Sequence, residues 1–262
     1  MGQVRRPDVS LITSVFRSAS SHRQRFARAV LDQSALCLKS GCLLEFVFIL
    51  NSPSVAERLW AFRLARRLSA VALVVKASVP RETLYRSWNR GMAQSSADVV
   101  GFWNVDDVRN GDALLDGVRL MRRGAEVVYF PVVEIDYFRR RGRLLERPRF
   151  VDAVPSDLDD FTRGMHAGPF FLVSRSAIAR IGGFDQQFYM CGDFEWCARA
   201  AASGTEFVRS ETVGGLFYRG SGALSHDSME RHLAENNVVY LRYGASDKVR
   251  PVRESLMAQY RV

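Results

Sequence analysis

Short apolar runs alternate with helical segments over residues 1–75, and this alternation restricts the fold more than any other feature of the sequence. The apolar runs are strand-length and rich in β-branched and aromatic residues, and they cover residues 9–15, 43–50 and 71–75. Helical patterns over residues 23–38 and 55–69 separate them. A β-α-β-α-β order predicts a parallel sheet with helices wound on both of its faces.

A fourth predicted strand, within residues 97–115, ends at two adjacent acids, Asp106 and Asp107. Ligands of open α/β sheets bind where the strands end, and two neighbouring carboxylates repel each other unless a cation lies between them. Oxygen ligands suit Mg²⁺ or Mn²⁺, and such an ion would also hold a diphosphate. The residues alone leave open a second interpretation, an acidic turn that follows a strand with Asp107 near a helix start.

The remaining elements are predicted with similar patterns. A helical pattern over residues 81–91 is expected to end at Gly91. The second half favours further helices and strands, and no repeat or low-complexity linker divides it from the first. We therefore expect one continuous α/β fold. The predicted helices are 112–123, 175–181, 194–203 and 229–243, and the predicted strands are 126–131, 132–143 and 169–174.

A second acidic motif begins the helix predicted at residues 194–203. Asp193 and Glu195 lie in its first turn, where carboxylates are favoured by the helix dipole. One interpretation is purely structural, with Arg199 as the i+4 partner of Glu195. The other is a general base presented at the mouth of a cleft. The combination of this motif with the paired acids upstream favours the catalytic interpretation.

Composition excludes several classes of protein. The chain of 262 residues is 47% hydrophobic and 25% charged with a net charge of +9, values that are ordinary for a globular domain apart from the basic balance. It carries no nucleic-acid-binding module, no GxGxxG after the first strand and no GxxxxGK[ST] motif. The four cysteines match no zinc pattern and are expected to be reduced thiols: Cys37, Cys42, Cys191 and Cys197.

The location of the protein is predicted from what the sequence lacks. No apolar run approaches the ~20 residues that span a bilayer, and no cleavage signal follows the basic N-terminus, so we expect a cytoplasmic protein. Peripheral association with the inner face of the membrane stays open. The densest basic cluster, residues 139–143, is expected to be a solvated hairpin or loop, or alternatively a contact for a diphosphate or for lipid head groups.

Four blocks of the sequence resemble family 2 glycosyltransferases of the GT-A fold. They are residues 9–17, 45–54, 88–107 and 182–199, and they keep the order and spacing of that family. The resemblance implies a single Rossmann-like, doubly wound, mostly parallel sheet with a smaller mixed sheet on the acceptor side. It further implies that residues 1–110 bind the nucleotide sugar and residues 111–262 bind the acceptor.

The same resemblance implies a chemistry. It is an inverting transfer from a nucleotide-diphosphate sugar, with a UDP-sugar expected, to a hydroxyl of a glycan or of a lipid-linked acceptor, as in polysaccharide biosynthesis. Asp193 stands at the position of the family's catalytic base, and Asp106 and Asp107 stand at its DxD metal motif. A divalent metal, Mn²⁺ or Mg²⁺, is implied as cofactor, with His226 as a candidate third ligand. The oligomeric state is not predicted.

Donor contacts are implied for a further set of residues, namely Val15, Phe16, Asn51, Trp88, Asn89, Asn104, Val105 and Asp106. The sequence departs from the common pattern at Arg17, Asn51 and Asn104, and Asn104 gives the motif an Asn-x-Asp-Asp form. Asparagine can still hydrogen-bond a ribose or a base, but it brings no charge. Other expected contacts are weaker: stacking of Trp88, Trp103 or Trp196 on sugars, with Trp103 more typical of a core, and contacts of Tyr218 and Arg219 with the diphosphate.

Two alternatives remain. The departures at Asn51 and Asn104 motivate a catalytically degenerate GT-A domain that acts as a binding or scaffold protein. A sugar-phosphate nucleotidyltransferase shares the architecture, but it usually needs a glycine-rich loop after the first strand. Residues 16–21 contain no glycine, so this alternative ranks last.

Overall fold

The computed structural model describes residues 6–140, 143–219 and 228–260. The strands are β1 (Val9–Val15), β2 (Leu44–Asn51), β3 (Ala72–Val79), β4 (Val99–Phe102), β5 (Val108–Arg109), β6 (Val127–Tyr129), β7 (Val132–Arg140), β8 (Arg143–Val151), β9 (Leu172–Ser174), β10 (Phe207–Arg209) and β11 (Gly215–Arg219). The helices are α1 (Ser20–Lys39), α2 (Val55–Leu68), α3 (Leu84–Gln94), α4 (Gly111–Arg122), α5 (Asp160–Arg163), α6 (Arg175–Ile181), α7 (Gly192–Ala202), α8 (Met229–Arg242) and α9 (Glu254–Met257).

The main sheet has seven strands in the order β10-β6-β9-β4-β1-β2-β3. Its pairs are parallel except those of β9, which runs antiparallel to both β4 and β6. The predicted doubly wound, mostly parallel sheet is therefore confirmed. The α/β crossovers explain why β1 and β2 read as continuous apolar runs, because helices cover both of their faces.

Alternate residues of β1 and β2 enter two separate hydrophobic cores. Leu11 of β1 and Phe46 of β2 belong to the core that includes residues of α1, α2 and α4. Ile12 and Val47, the next residue in each strand, belong to the core that includes residues of α3, α7 and α8. This alternation follows from the two-residue period of a strand, and it fixes the register of β1 and β2 relative to both helical layers.

A second sheet of four strands has the order β5-β11-β7-β8, which confirms the expected smaller mixed sheet. β11 pairs parallel with β7, whereas β5 pairs antiparallel with β11. Arg139, Arg140 and Arg143 of the basic cluster lie on β7 and β8, which pair antiparallel as expected for a hairpin, whereas residues 141–142 lie outside the described residues. The side chains of residues 139–144 lie outside the described part of the chain.

Helix α3 corrects one prediction, because Gly91 does not end it. The helix starts after Thr83, whose side chain caps it, and continues to Gln94. Gly91 instead lies where α3 packs on β1: a Cβ atom there would be 2.4 Å from Cγ2 of Ile12. The glycine thus allows a close approach between the helix and the sheet. All four cysteines are buried, and none forms a disulfide within residues 6–140, 143–219 and 228–260.

Candidate active site

The carboxyl ends of β1, β2 and β4 lie at one edge of the main sheet, because these neighbouring strands are parallel. Two residues at this edge, Arg17 and Ser52, have positive φ angles of 45° and 46°. Such angles are uncommon outside glycine, and strained backbone clusters at functional sites. The predicted acidic motif, residues 104–107, follows β4 at the same edge. Val15, Phe16, Asn51 and the acidic motif therefore lie at or just after the carboxyl ends of these strands.

Asp106 and Asp107 have different surroundings within this motif. Asp107 is only 1% exposed, and its Oδ1 atom accepts a hydrogen bond from the backbone N–H of Tyr218 at 3.1 Å. The side chain of Asn104 also hydrogen-bonds to Asp107. Asp106 is half-buried, and its backbone carbonyl accepts a bond from Arg25 Nη2 at 2.6 Å. Within the described residues, no other residue donates a hydrogen bond to the Asp106 carboxylate.

Burial raises the pKa of both carboxyl groups. For Asp107, the nearby Asp106 carboxylate reinforces burial, so its pKa lies well above the ordinary aspartate value. Burial also raises the pKa of Asp106, although the charges of His22 and Arg25 oppose the increase. The charge of Arg25 opposes the increase for both acids, but burial outweighs it, so both pKa values stay raised. A hard divalent cation would relieve this repulsion, and carboxylate oxygens are the ligands that it prefers.

The chemistry of the pair therefore fits a divalent metal with few protein ligands. No group of three or more His, Cys, Asp or Glu side chains forms a metal cluster in residues 6–140, 143–219 and 228–260. Mg²⁺-type sites commonly use one or two carboxylates and complete their shell with substrate phosphates and water. The proposed third ligand, His226, lies outside the described residues.

A buried arginine fixes the end of β4. Arg109 is fully enclosed, and its Nη1 atom donates to the carbonyl of Phe102, the last residue of β4, at 2.8 Å. Its Nη2 atom donates to the carbonyl of Phe170. Burial lowers the pKa of Arg109 to about 9, and Asp107 opposes this decrease. No local sequence pattern indicates this role, because Phe102 and Phe170, whose carbonyls accept these bonds, are far apart in the chain.

Asp193 lies in the first turn of α7, as predicted, and the protein holds its carboxylate in place. Its Oδ1 atom accepts hydrogen bonds from the hydroxyl of Tyr85 at 3.0 Å and from the backbone N–H of Phe194 at 2.9 Å. Burial raises the pKa of Asp193, although these two hydrogen bonds oppose the increase. Glu195 and Arg199 form the expected i+4 ion pair at 2.9 Å.

The loop before Asp193 is fixed by a buried carboxylate from α8. Glu235 is fully buried; its Oε2 atom accepts from the backbone N–H groups of Met190 at 2.7 Å and Cys191 at 2.8 Å. Its Oε1 atom accepts from the N–H of Tyr189 at 2.9 Å and from the hydroxyl of Tyr260 at 2.6 Å. Sequence reasoning missed Glu235 because it lies on a distant helix.

Helix α3 connects the two acidic motifs through packed aromatic rings. Tyr85, which bonds Asp193, has its ring 5.5 Å from Trp88, and Trp88 stacks on Phe102 at 4.4 Å. Asn89 on the same helix both donates to and accepts from the backbone of Phe184, at 2.8 Å each. The end of β4 and the start of α7 therefore share one packed support.

Several predicted ligand contacts turn out to be engaged in packing. Trp88, Trp103 and Trp196 are all buried in the hydrophobic cores, which leaves none of the three rings exposed for stacking on a sugar. The burial of Trp103 agrees with its expected core role. The tryptophan prediction was wrong for the other two because helix–sheet packing, which sequence spacing does not show, encloses them.

Residues at the ends of β1 and β2 differ in how exposed they are. Asn51 is 2% exposed, and its carboxamide bonds the backbone of Glu82 in both directions, at 2.8 and 2.9 Å. Val15 and Val105 are also buried. Phe16 is half-buried, with the guanidinium groups of Arg17 and Arg81 lying 5.2 and 5.6 Å from its ring centroid.

Tyr218 and Arg219, the last two residues of β11, differ in whether they contact the acidic motif. Tyr218 does so through its backbone N–H, and its ring lies 3.6 Å from the guanidinium carbon of Arg25. Arg219 instead pairs with Glu134 of β7 at 3.2 Å. Arg219 therefore already has an acidic partner within the protein, whereas Arg25 is shared between the Tyr218 ring and the backbone of Asp106.

Comparison with known protein families adds the decisive observation. Residues 65–182 match the family model described as Glycosyl transferase family 2. Over these residues the chain is similar to family 2 glycosyltransferases. It is accordingly an enzyme of the transferase class. The matched segment includes Trp88, Asn89 and the acidic motif at residues 104–107, whereas Asn51 and Asp193 lie outside it. No curated protein matches the sequence.

Solved structures with the same fold include two glycosyltransferases. A mannosyltransferase from Pyrobaculum calidifontis, PcManGT, in complex with GDP-Man and Mn²⁺, superimposes with a TM-score of 0.65 at 16% identity, over 98% of this chain and 69% of its own. S. aureus TarS (residues 1–349), in complex with UDP-GlcNAc, superimposes with a TM-score of 0.63 at 11% identity, over 96% and 70%. The described part of the chain thus has the GT-A fold of these enzymes.

None of the helices in the described residues combines the length and apolar character needed to cross a bilayer.

Proposed function

We propose that this glycosyltransferase moves a sugar from a nucleoside-diphosphate sugar, with a UDP-sugar expected, to a hydroxyl of a glycan or of a lipid-linked acceptor, with inversion at the anomeric carbon. The observation that carries the proposal is the pairing of two carboxylate sites with different surroundings. Asp106 has a carboxylate that accepts no bond from another described residue, while Asp193 is held by Tyr85 and the Phe194 N–H.

On the donor side, Asp106 and Asp107 would hold Mn²⁺ or Mg²⁺. Bound there, such an ion would neutralise the charge that develops on the diphosphate leaving group. Asn104 and Tyr218 orient Asp107, and Arg25 fixes the backbone of Asp106. In this proposal residues 1–110 form the donor half and residues 111–262 the acceptor half. The complexes of the similar structures, with GDP-Man and Mn²⁺ or with UDP-GlcNAc, support a donor of this class.

Nucleoside contacts are proposed for Phe16 and for the backbone around Asn51, Asn104 and Val105. Val15, Trp88 and Asn89 would support the donor-binding residues without contacting the donor. Val15 and Trp88 are buried, and the Asn89 amide bonds the Phe184 backbone. The Asn51 carboxamide bonds Glu82, so its contribution would be to fix the segment that begins α3.

On the acceptor side, Asp193 would accept the proton of the acceptor hydroxyl as that oxygen attacks the anomeric carbon. Burial raises the pKa of Asp193 and so makes its carboxylate a stronger base than an exposed aspartate. The hydrogen bond from Tyr85 keeps the carboxylate oriented. A single displacement of this kind needs one base and no enzyme nucleophile, and it inverts the anomeric configuration.

A thermal-shift screen with UDP, GDP and other nucleoside diphosphates, each with and without Mn²⁺, tests the proposal. We expect one nucleotide to raise the melting temperature by several degrees only when Mn²⁺ is present, since a ligand at about 100 times its Kd adds roughly 2.7 kcal/mol. The matching nucleotide sugars would then be assayed for transfer. Stabilisation by none of the nucleotides would refute the proposal and favour the scaffold alternative.

A further inference from the structure

Helix α2 exposes a stripe of large apolar side chains that no described part of the protein covers. Val55 is 75% exposed, Leu59 is 51% exposed and Phe62 is 54% exposed. The spacings of four and three residues place them on one face of the helix. Single exposed apolar residues are normal, but a contiguous apolar patch marks an interaction surface.

The stripe continues into a groove between α1 and α2. The groove has a volume of about 560 Å³, and its apolar lining includes Ala27 and Leu31 from α1 and Leu59, Trp60 and Leu64 from α2. Together the stripe and the groove form what we call the α1–α2 face. This face offers an apolar surface with depth, which suits inserted acyl chains or side chains better than a flat polar contact.

Positive charge flanks the apolar stripe. Four exposed arginines lie on α2, and none of them forms an ion pair within residues 6–140, 143–219 and 228–260: Arg58, Arg63, Arg66 and Arg67. Lys76 on the edge strand β3 adds a further charge, with its ammonium 5.3 Å from the ring centroid of Phe62. The acids nearby are already engaged, because Glu57 belongs to the capping box of α2 and Asp32 faces Arg28 at 3.9 Å.

The charges on this face distinguish between two kinds of partner, a second copy of the protein and an anionic lipid surface. In a symmetric dimer a patch packs against its own copy, which would place the arginines of both protomers opposite each other. An anionic lipid surface instead attracts the arginines and takes up the apolar stripe. We propose that the α1–α2 face docks on anionic membranes, with Leu59 and Phe62 inserted among the lipid head groups and the arginines on the lipid phosphates.

This placement would bring the candidate site near the lipid surface. Helix α2 begins four residues after Asn51, the last residue of β2, so the Val55 end of the stripe lies close to the edge that carries the acidic motif. A lipid-linked acceptor fits such an orientation, and this consequence rests on the proposed function. Membrane binding itself requires neither a donor nor turnover, so the two proposals can fail separately.

Co-sedimentation with vesicles tests the proposal on the full chain. We expect the protein to sediment with vesicles of phosphatidylcholine containing about 30 mol% phosphatidylglycerol and to bind pure phosphatidylcholine at least about tenfold more weakly. The double variant Leu59→Glu/Phe62→Glu should reduce the partition coefficient by at least about tenfold. Its matched control, Leu241→Glu, changes an exposed leucine on α8 and should bind as the unaltered protein does.

A second pair of variants tests the charges. Arg63→Gln/Arg66→Gln should weaken binding by about fivefold per arginine. The control Arg119→Gln/Arg122→Gln makes the same change in net charge on α4, where both arginines pair with acids, and should bind nearly normally. If both pairs of variants lost the same amount of vesicle binding, net charge alone would explain the effect, and this result would overturn the proposal.

Three other results would also overturn it. The first two are normal vesicle binding by the Leu59→Glu/Phe62→Glu variant and no vesicle binding by the unaltered protein. The third is light scattering that shows a dimer for the unaltered protein and a monomer for this variant. Unchanged circular dichroism and melting temperatures confirm that the variants fold. A variant that keeps donor binding but loses vesicle binding supports the docking face independently of catalysis.

Discussion

Asp106 and Asp193 are both half-buried carboxylates with raised pKa values, but they differ in the hydrogen bonds that they accept from the surrounding protein. Asp193 receives hydrogen bonds from a tyrosine hydroxyl and a backbone N–H, and a buried glutamate fixes the loop before it. The Asp106 carboxylate receives none from another described residue. A partly buried carboxylate that accepts no hydrogen bond from neighbouring residues points to an external partner, whereas one that the protein orients points to chemistry within the protein.

The difference separates two tasks. The acidic motif after β4 supplies free oxygen atoms at an edge where neighbouring strands end, which suits a cation with a diphosphate. Asp193 is pre-organised by α3 and α8, which suits a proton transfer whose geometry must be exact. Replacing residues at one site should therefore leave the task of the other site intact.

The largest expected effect is on turnover in Asp193→Asn. Asparagine keeps the hydrogen bonds from Tyr85 and Phe194 but cannot take a proton, so kcat should fall by about 10³-fold while donor binding persists. A transfer assay with the donor that the screen identifies measures this loss. Asp247→Asn, which alters an exposed acid paired with Arg163, serves as the control and should keep full activity. Activity in Asp193→Asn within a few-fold of normal would exclude Asp193 as the base.

Glu235→Gln should give a smaller loss, roughly 10–100-fold in kcat, because an amide NH₂ would face the backbone donors of Met190 or Tyr189 and disturb the loop. The loss of the Glu235 charge should also lower the pKa of Asp193, since that charge raises it. The acid limb of the pH–rate profile should then move to lower pH. Glu230→Gln, on the exposed side of the same helix, is the matched control. If Glu235→Gln lost donor affinity but kept a normal kcat, the result would contradict this positioning role.

Tyr85→Phe should move the acid limb in the opposite direction. The Tyr85 hydroxyl stabilises the charged form of Asp193 and lowers its pKa, so its removal raises that pKa. Because the base must be deprotonated, the rate should then begin to fall at a higher pH, with a few-fold loss in kcat near neutrality. The pH dependence of kcat/KM measures the shift. An acid limb that stays in place would show that Asp193 does not set it.

The smallest expected effect is on stability. The pKa of Asp193 is raised in the folded state, so its ionisation opposes folding, and this cost is fully present above the folded pKa. Asp193→Asn should therefore raise the melting temperature at pH 7 by about 2–4 °C, or on the order of 1 kcal/mol. The gain should disappear below the ordinary aspartate pKa, where both states are protonated. Calorimetry at both pH values checks the prediction, which a constant gain would contradict.

The sequence allowed the fold to be predicted because its strongest signals are local. β1, β2 and α2 appear within a residue or two of their predicted positions, since apolar runs and the Ser54 capping signal act over short distances. The very short strands β5, β10 and β11 were missed, because strands of two to five residues are defined by their partners and carry no pattern of their own.

The candidate site was predictable where its residues form motifs and not where they act across the fold. Asp106, Asp107 and Asp193 stand in recognisable motifs, and the structure places them at the end of β4 and the start of α7. Tyr85 and Glu235 contact the Asp193 region from α3 and α8, at sequence distances that no pattern encodes. Trp88 was misjudged for the same reason, because its burial depends on packing between α3 and β4.

Calorimetric titration of the donor nucleotide with Mn²⁺ into Asp106→Asn and Asp193→Asn tests the division between the two sites most directly. Removal of the Asp106 charge should weaken binding by roughly 100-fold, whereas Asp193→Asn should bind within about twofold of the unaltered protein. Equal weakening in both variants, or Mn²⁺-dependent binding that persists in Asp106→Asn, would contradict the assignment of the cation to the acidic motif and of the proton to Asp193.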